Sequence, residues 1–142
     1  MEVPRWQERY IGIPFLEASR NIENGGLDCW GYARYILHNE VAIDLPLLEE
    51  VFYSEGRKNR KGLAEFIKNY DAISIGWSQV NGIYQPFDLL VVNVGGPFHV
   101  AVVSEKGWML HVESGCDSVE ERYTGMRWKG RVSSAWRHVS RM

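Results

Sequence analysis

The sequence predicts an α+β fold, with helices in the first half of the chain and an antiparallel sheet in the second. The helical signal is strongest after residue 28, where apolar residues recur at the spacing of one buried helix face: Cys29, Tyr32, Ala33, Ile36 and Leu37. The sheet signal consists of short β-branched or apolar runs at residues 88–94, 99–104 and 108–113. The chain has 142 residues, and because a domain averages about 150 residues, we expect one domain over residues 1–142.

The predicted central helix begins at a defined cap. Residues 24–26 (Asn-Gly-Gly) form a turn, and Asp28 then occupies the N-cap position, where its carboxylate accepts hydrogen bonds from first-turn N–H groups. Cys29 is therefore expected in the first turn of this helix. Residues 5–10 predict a short amphipathic helix upstream, and residues 62–70 predict a second helix downstream.

Two of the predicted strands carry a histidine each. A short turn at residues 105–107 joins them. A pairing across this turn that sets His99 directly opposite His111 places both side chains on one face of the sheet, with Cβ atoms about 5 Å apart. The helix that starts at Cys29 is expected to cover that face. Residues 131–138 predict a further strand.

Composition and charge exclude several classes of protein. Hydrophobic residues make up 45% and charged residues 24% of the chain, which excludes wholesale disorder. The formal net charge of −2 argues against a nucleic-acid partner, and no apolar run approaches the ~18 residues of a membrane span. The N-terminus lacks the features of a secretory signal, so we expect a soluble protein synthesised in the cytoplasm. Residues 122–142 carry six basic and no acidic side chains, which suits either an anionic polymer or a charged strand edge.

Cys29, His99 and His111 together predict nucleophilic catalysis. A cysteine at a helix N-terminus is activated as a thiolate by the first-turn N–H groups, the helix dipole and a nearby imidazolium, all of which lower its pKa. Cys29 would then attack a carbonyl carbon, His99 would hold the proton and return it to the leaving amine, and His111 would fix the tautomer of His99. The backbone N–H groups around Cys29 and Trp30 are candidates for the oxyanion hole. This chemistry is acyl transfer to water through a thioester.

An ordered set of short motifs carries a family resemblance. It runs from Tyr-Ile-Gly-Ile-Pro-Phe at 10–15 through Gly-Leu-Asp-Cys-Trp-Gly at 26–31, Phe-Asp-Leu-Leu at 87–90 and Phe-His-Val-Ala-Val-Val at 98–103 to Met-Leu-His at 109–111. In these motifs the chain resembles the NlpC-type cell-wall peptidases, which are papain-like cysteine peptidases that cleave peptidoglycan stem peptides. The resemblance implies a papain-like fold with the nucleophile helix packed on a central antiparallel sheet. It assigns Cys29 as nucleophile, His99 as base and His111 as orienting residue, with no metal or other cofactor.

Within that family the chain is similar to the tail-associated variants encoded by phages and prophages, in which Asp-Cys-Trp-Gly (28–31) and Asp-Leu-Pro (44–46) are familiar. This similarity implies peptidoglycan stem peptides as substrate and phage tail proteins as candidate partners. It also implies a virion-associated enzyme that acts at the bacterial cell wall. A structural component of a tail tip with secondary or lost catalysis is the alternative, followed by an amidase or acyltransferase that acts on another amide.

Two residues depart from the family pattern. Phe15 stands where many members have a tyrosine whose hydroxyl lies near the oxyanion site, which leaves Tyr10 as a candidate donor. Trp30 stands where serine is usual, and its ring is expected to narrow the cleft.

A zinc site built from His99, His111 and Glu113 is a competing interpretation of the same residues. It lacks the HExxH or CxxC spacing of zinc motifs and leaves the cysteine at the helix start unexplained. The remaining histidines and cysteine are interpreted as surface residues: His38, His138 and Cys116.

Overall fold

The computed structural model describes residues 5–45, 76–93 and 98–142 of the chain. These residues contain the α-helix α1 (Cys29–Val41) and the strands β1 (Trp77–Gln79), β2 (Leu89–Asn93), β3 (Phe98–Glu105), β4 (Trp108–His111), β5 (Val119–Arg122) and β6 (Val132–His138). The six strands form one antiparallel sheet in the order β1–β6–β2–β3–β4–β5, and α1 packs against one of its faces. This arrangement confirms the predicted α+β class.

The helix α1 starts where the sequence predicts. The Asp28 side chain accepts a hydrogen bond from the backbone N–H of Gly31 at 2.7 Å, which caps the first turn. The helix ends before Ala42, whose φ of 54° is left-handed. Its buried face is the predicted one and packs against β3 and β4: Tyr32, Ala33, Ile36 and Leu37. The cap and the apolar spacing therefore fix both the start of α1 and its orientation on the sheet.

The N-terminal segment ties α1 to the sheet. Residues Trp6–Tyr10 form a 3₁₀ helix, which is tighter than the amphipathic α-helical turn that the pattern predicts. The Tyr10 carbonyl accepts hydrogen bonds from the hydroxyl groups of Tyr32 in α1 and Ser118 ahead of β5, both at 2.6 Å. These two bonds hold the segment against both layers of the fold.

The turn between β3 and β4 shifts the predicted register by two residues. Glu105 pairs with Trp108 across the tight turn at Gly107, whose φ is 89°, which shifts the register by three residues. A bulge between Val103 and Glu105 then takes one residue back, so that Val102 pairs with Leu110. The prediction that His99 lies directly opposite His111 is therefore wrong. Side chains alternate with a period of two residues, so a shift by two keeps both histidines on the same face, as predicted.

The predicted strands are present with slightly different bounds. β2, β3 and β4 overlap the runs at 88–94, 99–104 and 108–113, and β6 lies within 131–138. β1 and β5 are only three and four residues long and carry no clear sequence signal. The predicted helix over 62–70 lies outside the described residues. In the ranges that the structure covers, no helix has both the length and the apolar character that a membrane span requires.

β6 is an inner strand, which corrects one interpretation of the basic C-terminal segment. It pairs with β1 on one side and with β2 on the other, so it is not a charged sheet edge. Arg137 of this strand donates through Nε and Nη2 to the two carboxylate oxygens of buried Asp88, both at 2.8 Å. The charge of Arg137 thus serves an internal ion pair.

The two faces of the sheet bury different side chains. α1 covers the face that carries Leu89, Val91, Val100, Val102 and Leu110. The opposite face carries Leu90, Val92, Ala101, Val103 and Met109, together with Trp128. His99 and His111 belong to this second face, and the centroid of the His111 ring lies 5.1 Å from that of Trp128. The expectation that the helix covers the histidine face is therefore wrong, because the residues that pack on α1 occupy the alternate positions of β3 and β4.

Candidate active site

Cys29 is the first residue of α1 and lies beside the start of β3. Its side chain is partly exposed, and the backbone N–H of Val100 is close enough to the sulfur to stabilise its anion. Val100 directly follows His99 in the chain. The packing of α1 on β3 therefore brings Cys29 to the backbone of the strand that carries His99, although no hydrogen bond joins the two side chains among the described residues.

His99 and His111 form a buried pair. Nε2 of His99 lies 3.0 Å from Nδ1 of His111, and the two residues are only 7% and 1% exposed. The rings meet edge to face with centroids 5.1 Å apart, and Trp128 stacks on His99 at 6.3 Å. The predicted proximity of the two imidazoles is thus present, through a diagonal contact rather than a direct strand pair.

A carboxylate and a guanidinium extend the histidine pair. Nε2 of His111 lies 2.8 Å from Oε1 of Glu121, and Arg127 donates to the same carboxylate oxygen at 3.3 Å. Arg127 also donates to both carboxylate oxygens of Glu113, at 2.6 and 2.7 Å. We refer to the row His99, His111, Glu121 and Arg127 as the relay.

Glu121 contacts His111 directly, yet the sequence patterns did not identify it as a site residue. It pairs with Met109 of β4, so strand alternation places it on the same face as His111. This alternation predicts the position of Glu121 only once residues 119–122 are known to form a strand. The segment Val-Glu-Glu-Arg is too polar to indicate one.

The pKa of Cys29 is raised, whereas the sequence predicts a thiolate with a lowered pKa. Burial raises the pKa of this thiol to about 11, and the negative charge of Asp28 adds to the effect. The N–H groups of Val100 and Trp30 oppose the shift, as does the charge of Arg20, but burial outweighs them. At neutral pH the resting side chain is therefore a thiol.

Both imidazoles of the relay are also neutral at neutral pH. Burial, with contributions from His111 and Arg127, lowers the pKa of His99 to about 3. Burial likewise lowers the pKa of His111, although the hydrogen bond with Glu121 opposes the shift. The resting site thus holds a neutral thiol and neutral imidazoles rather than a thiolate–imidazolium pair.

A buried ion pair positions the start of α1. Nε of Arg20 donates to the two carboxylate oxygens of Asp28 at 3.2 and 3.1 Å, and the two side chains are 3% and 9% exposed. Gly31 is needed here, because a Cβ at this position would clash with the carbonyl oxygen of Ser19. The loop before α1 and the first turn of the helix are thus held together, which fixes the position of Cys29.

Alkylation of Cys29 by iodoacetamide at neutral pH is expected to be at least about tenfold slower in the folded protein than in the same protein unfolded in urea. An unfolded cysteine has a pKa of about 8.5 and therefore supplies more thiolate. Above about pH 9, the folded rate is expected to keep rising after the unfolded rate has levelled off. The Cys116→Ser variant leaves Cys29 as the reporting thiol, and mass spectrometry follows its modification. Faster reaction of the folded protein at neutral pH would show that the thiolate is stabilised after all.

The oxyanion donors suggested by the sequence require two corrections. Tyr10 is fully buried and its hydroxyl donates to Oε2 of Glu40 at 2.5 Å, near the far end of α1, so it does not replace the hydroxyl missing at Phe15. The Trp30 ring is 2% exposed and lies in the core, so it does not narrow the cleft. Backbone N–H groups at the start of α1 remain the donors that suit this role.

The residues that suit a metal ion differ from those that the zinc interpretation names. His111, Glu113 and Glu121 each place a ligand atom within 4.8 Å of the others, whereas His99 does not belong to this group. Arg127 donates to both carboxylates, so its guanidinium already supplies a positive charge at this position. The group is therefore described better as an imidazole–carboxylate–guanidinium network.

The remaining histidines and cysteine lie outside the site. Cys116 and His38 are exposed, as predicted, and Nδ1 of His38 lies 2.6 Å from Asp44. His138 is half-buried, and its ring meets that of Trp77 edge-on at 5.3 Å, so it is only in part a surface residue.

The chain is similar in fold to several solved structures. No protein-family model and no curated protein sequence matches the chain. Among solved structures, it is similar to the NlpC/p60 domain of the peptidoglycan hydrolase SagA, with a TM-score of 0.54 and 17% identity over 90% of this chain and 89% of that one. An NlpC/p60 family protein from Bacillus cereus gives a TM-score of 0.62 at 17% identity, covering 93% of this chain and 37% of the other. A lipoprotein-like NLP/P60 family protein from Staphylococcus aureus gives 0.56 at 18% identity, covering 92% and 38%.

These similarities confirm the predicted papain-like α+β fold, in which α1 packs on the antiparallel sheet. The chain spans less than two fifths of the Bacillus cereus and Staphylococcus aureus chains but most of the SagA domain.

Proposed function

We propose that this protein is a cysteine peptidase that hydrolyses amide bonds in peptidoglycan stem peptides, as a cell-wall endopeptidase or amidase. The observation that carries the proposal is the position of a helix-terminal thiol, Cys29, beside the strand that bears the buried pair of His99 and His111. The fold is similar to that of NlpC/p60 domains, one of which belongs to a peptidoglycan hydrolase, and this similarity supports the substrate class.

The neutral resting site sets the order of the steps. As the sulfur of Cys29 attacks the carbonyl carbon, its proton passes to Nδ1 of His99, which is the nitrogen not used toward His111. The tetrahedral intermediate then expels the amine, which takes this proton and leaves a thioester on Cys29. Water attacks the thioester and gives a proton to His99, which returns it to the sulfur as the acid product leaves.

Backbone groups of the first turn of α1 supply the oxyanion hole in this proposal. The N–H of Trp30 already lowers the pKa of Cys29, so it is directed toward developing negative charge near the sulfur. Asp28 accepts from the N–H of Gly31, which keeps this turn in place. The N–H groups of Cys29 and Trp30 are the donors that we assign to the intermediate.

We place the enzyme in the tail-associated variant of this fold, as a catalytic domain delivered to the bacterial cell wall by phage tail proteins. The motifs Asp-Cys-Trp-Gly at 28–31 and Asp-Leu-Pro at 44–46 support this assignment. On this proposal the substrate is reached locally, where a tail contacts peptidoglycan.

Digestion of purified peptidoglycan is expected to release new amino groups and stem-peptide fragments without new reducing sugar ends. Amide hydrolysis frees an amine, whereas glycan cleavage frees a reducing end, so the two assays separate the reaction classes. Mass spectrometry of the fragments identifies the bond, and heat-unfolded protein is the control. New reducing ends, or no amine release by folded protein, would overturn the proposal. Copurification with tail particles without amine release would favour the structural tail-tip role instead.

A further inference from the structure

We propose that Glu121 is a positioning residue that sets the tautomers of both histidines, so that Nδ1 of His99 carries the lone pair that receives the Cys29 proton. The catalytic consequence rests on the function proposed above, whereas the tautomers are a property of the free protein. The juxtaposition that carries the inference is the continuous contact from Glu121 through His111 to His99, at 2.8 and 3.0 Å.

The first step follows from the chemistry of a carboxylate. Partial burial alone would raise the pKa of Glu121, but its hydrogen bond with His111 and the charge of Arg127 hold that pKa below its ordinary value. The side chain is therefore ionised at neutral pH and only accepts hydrogen bonds. Nε2 of His111, at 2.8 Å from Oε1 of Glu121, must then carry the proton of this contact.

In the second step, the proton position on His111 determines the proton position on His99. His111 is neutral, so a proton on Nε2 leaves its Nδ1 as an acceptor. The contact of 3.0 Å between Nδ1 of His111 and Nε2 of His99 therefore requires that His99 donates. Because His99 is neutral as well, its Nδ1 is left unprotonated and basic.

The surroundings of the relay favour this single arrangement. Within the part of the chain that the structure describes, the charged or titratable groups around His111 are His99, Glu113, Glu121 and Arg127, and Arg127 donates to both carboxylates. This guanidinium keeps Glu121 and Glu113 ionised and oriented. The Trp128 ring lies against both imidazoles. Its indole N–H can only donate, so Trp128 offers neither histidine an alternative hydrogen-bond acceptor.

Two-dimensional NMR of protein with ¹⁵N-labelled histidine measures the tautomers directly. In the wild type, His99 and His111 are both expected to be protonated at Nε2. Glu121→Lys places a donor where the acceptor was, so both rings are expected to change to protonation at Nδ1. Glu121→Gln keeps an acceptor oxygen and is expected to retain the wild-type tautomers. Glu120→Gln, which removes the adjacent carboxylate on the other face of β5, is the matched control and is expected to leave both rings unchanged.

A wild-type spectrum with His99 protonated at Nδ1 would overturn the proposal, and so would unchanged tautomers in a folded Glu121→Lys protein. The wild-type spectrum decides the question if that variant does not fold.

Amine release from peptidoglycan provides the second measurement. The wrong tautomer is expected to lower kcat by about 100-fold or more with KM little changed, and Glu121→Gln is expected to restore most of the rate. If the tautomers are as expected but the wild type releases no amines, the proposed function fails and the tautomer assignment stands.

Discussion

Replacement of Cys29 by alanine is expected to lower the rate of amine release from peptidoglycan by about 1,000-fold or more, because removal of the nucleophile leaves no atom to form the thioester. The substitution removes one sulfur atom from a partly exposed position at the start of α1. The cap at Asp28 and the apolar face of the helix are untouched, so we expect the fold to be retained. Initial rates of amine release from the same peptidoglycan preparation measure the effect.

The matched control is Cys116→Ala, which removes the exposed cysteine of the chain and is expected to leave the rate unchanged. Circular dichroism and urea unfolding of both variants separate loss of chemistry from loss of structure. Equal fragment profiles from the wild type and Cys29→Ala would end the enzymatic proposal. Equal loss in both variants would point to a general effect of thiol removal rather than to a nucleophile.

The parts of the fold that the sequence predicts are those with a local physical cause. The Asp28 cap and the helical spacing after it depend on neighbouring residues, so both the start and the buried face of α1 could be predicted. β2, β3 and β4 are apolar runs long enough to stand out from their turns. The shared face of His99 and His111 follows from strand alternation, which survives a shift of two residues.

The parts that escaped prediction depend on tertiary contacts. The bulge ahead of Gly107 sets the β3–β4 register, and nothing in the local sequence requires it. Glu121 enters the relay only because a short polar segment pairs with β4. The raised pKa of Cys29 depends on burial of the thiol in the folded protein and on the charge of Asp28, and an argument from the helix N-terminus alone omits both.

These corrections change the chemistry proposed for the site. A thiolate–imidazolium pair would be ready to attack before substrate binds. A neutral thiol instead needs a base that accepts its proton during attack. Nδ1 of His99 must therefore be unprotonated before the reaction begins. His111 and Glu121 gain their importance from this requirement, because on the tautomer proposal they set the proton position on His99.

Asp28→Ala is expected to destabilise the protein by about 3–5 kcal/mol, since it removes one partner of a buried ion pair together with the cap of α1. Nε of Arg20 donates to both carboxylate oxygens of Asp28, and the two side chains are almost fully buried. Burial raises the pKa of Asp28 even though the charge of Arg20 opposes the shift, so the pair is formed at a desolvation cost. Without the Asp28 carboxylate, the buried guanidinium of Arg20 still bears its desolvation cost but has lost the negative charge that compensated it. Urea unfolding monitored by circular dichroism measures the change.

Asp28→Asn separates the two contributions, because its amide oxygen still accepts from the N–H of Gly31 while the charge is lost. Its destabilisation is expected to be about 1 kcal/mol smaller than that of Asp28→Ala. Asp44→Ala, which removes an exposed carboxylate beside His38, is the control and is expected to change stability little. A free energy of unfolding for Asp28→Ala close to that of Asp44→Ala would contradict the structural role of the pair.

Because the Asp28 charge raises the pKa of Cys29, the folded Asp28→Asn protein is also expected to be alkylated at Cys29 faster than the wild type. Asp28 thus holds the start of α1 in place and, together with burial, keeps the thiol of Cys29 protonated.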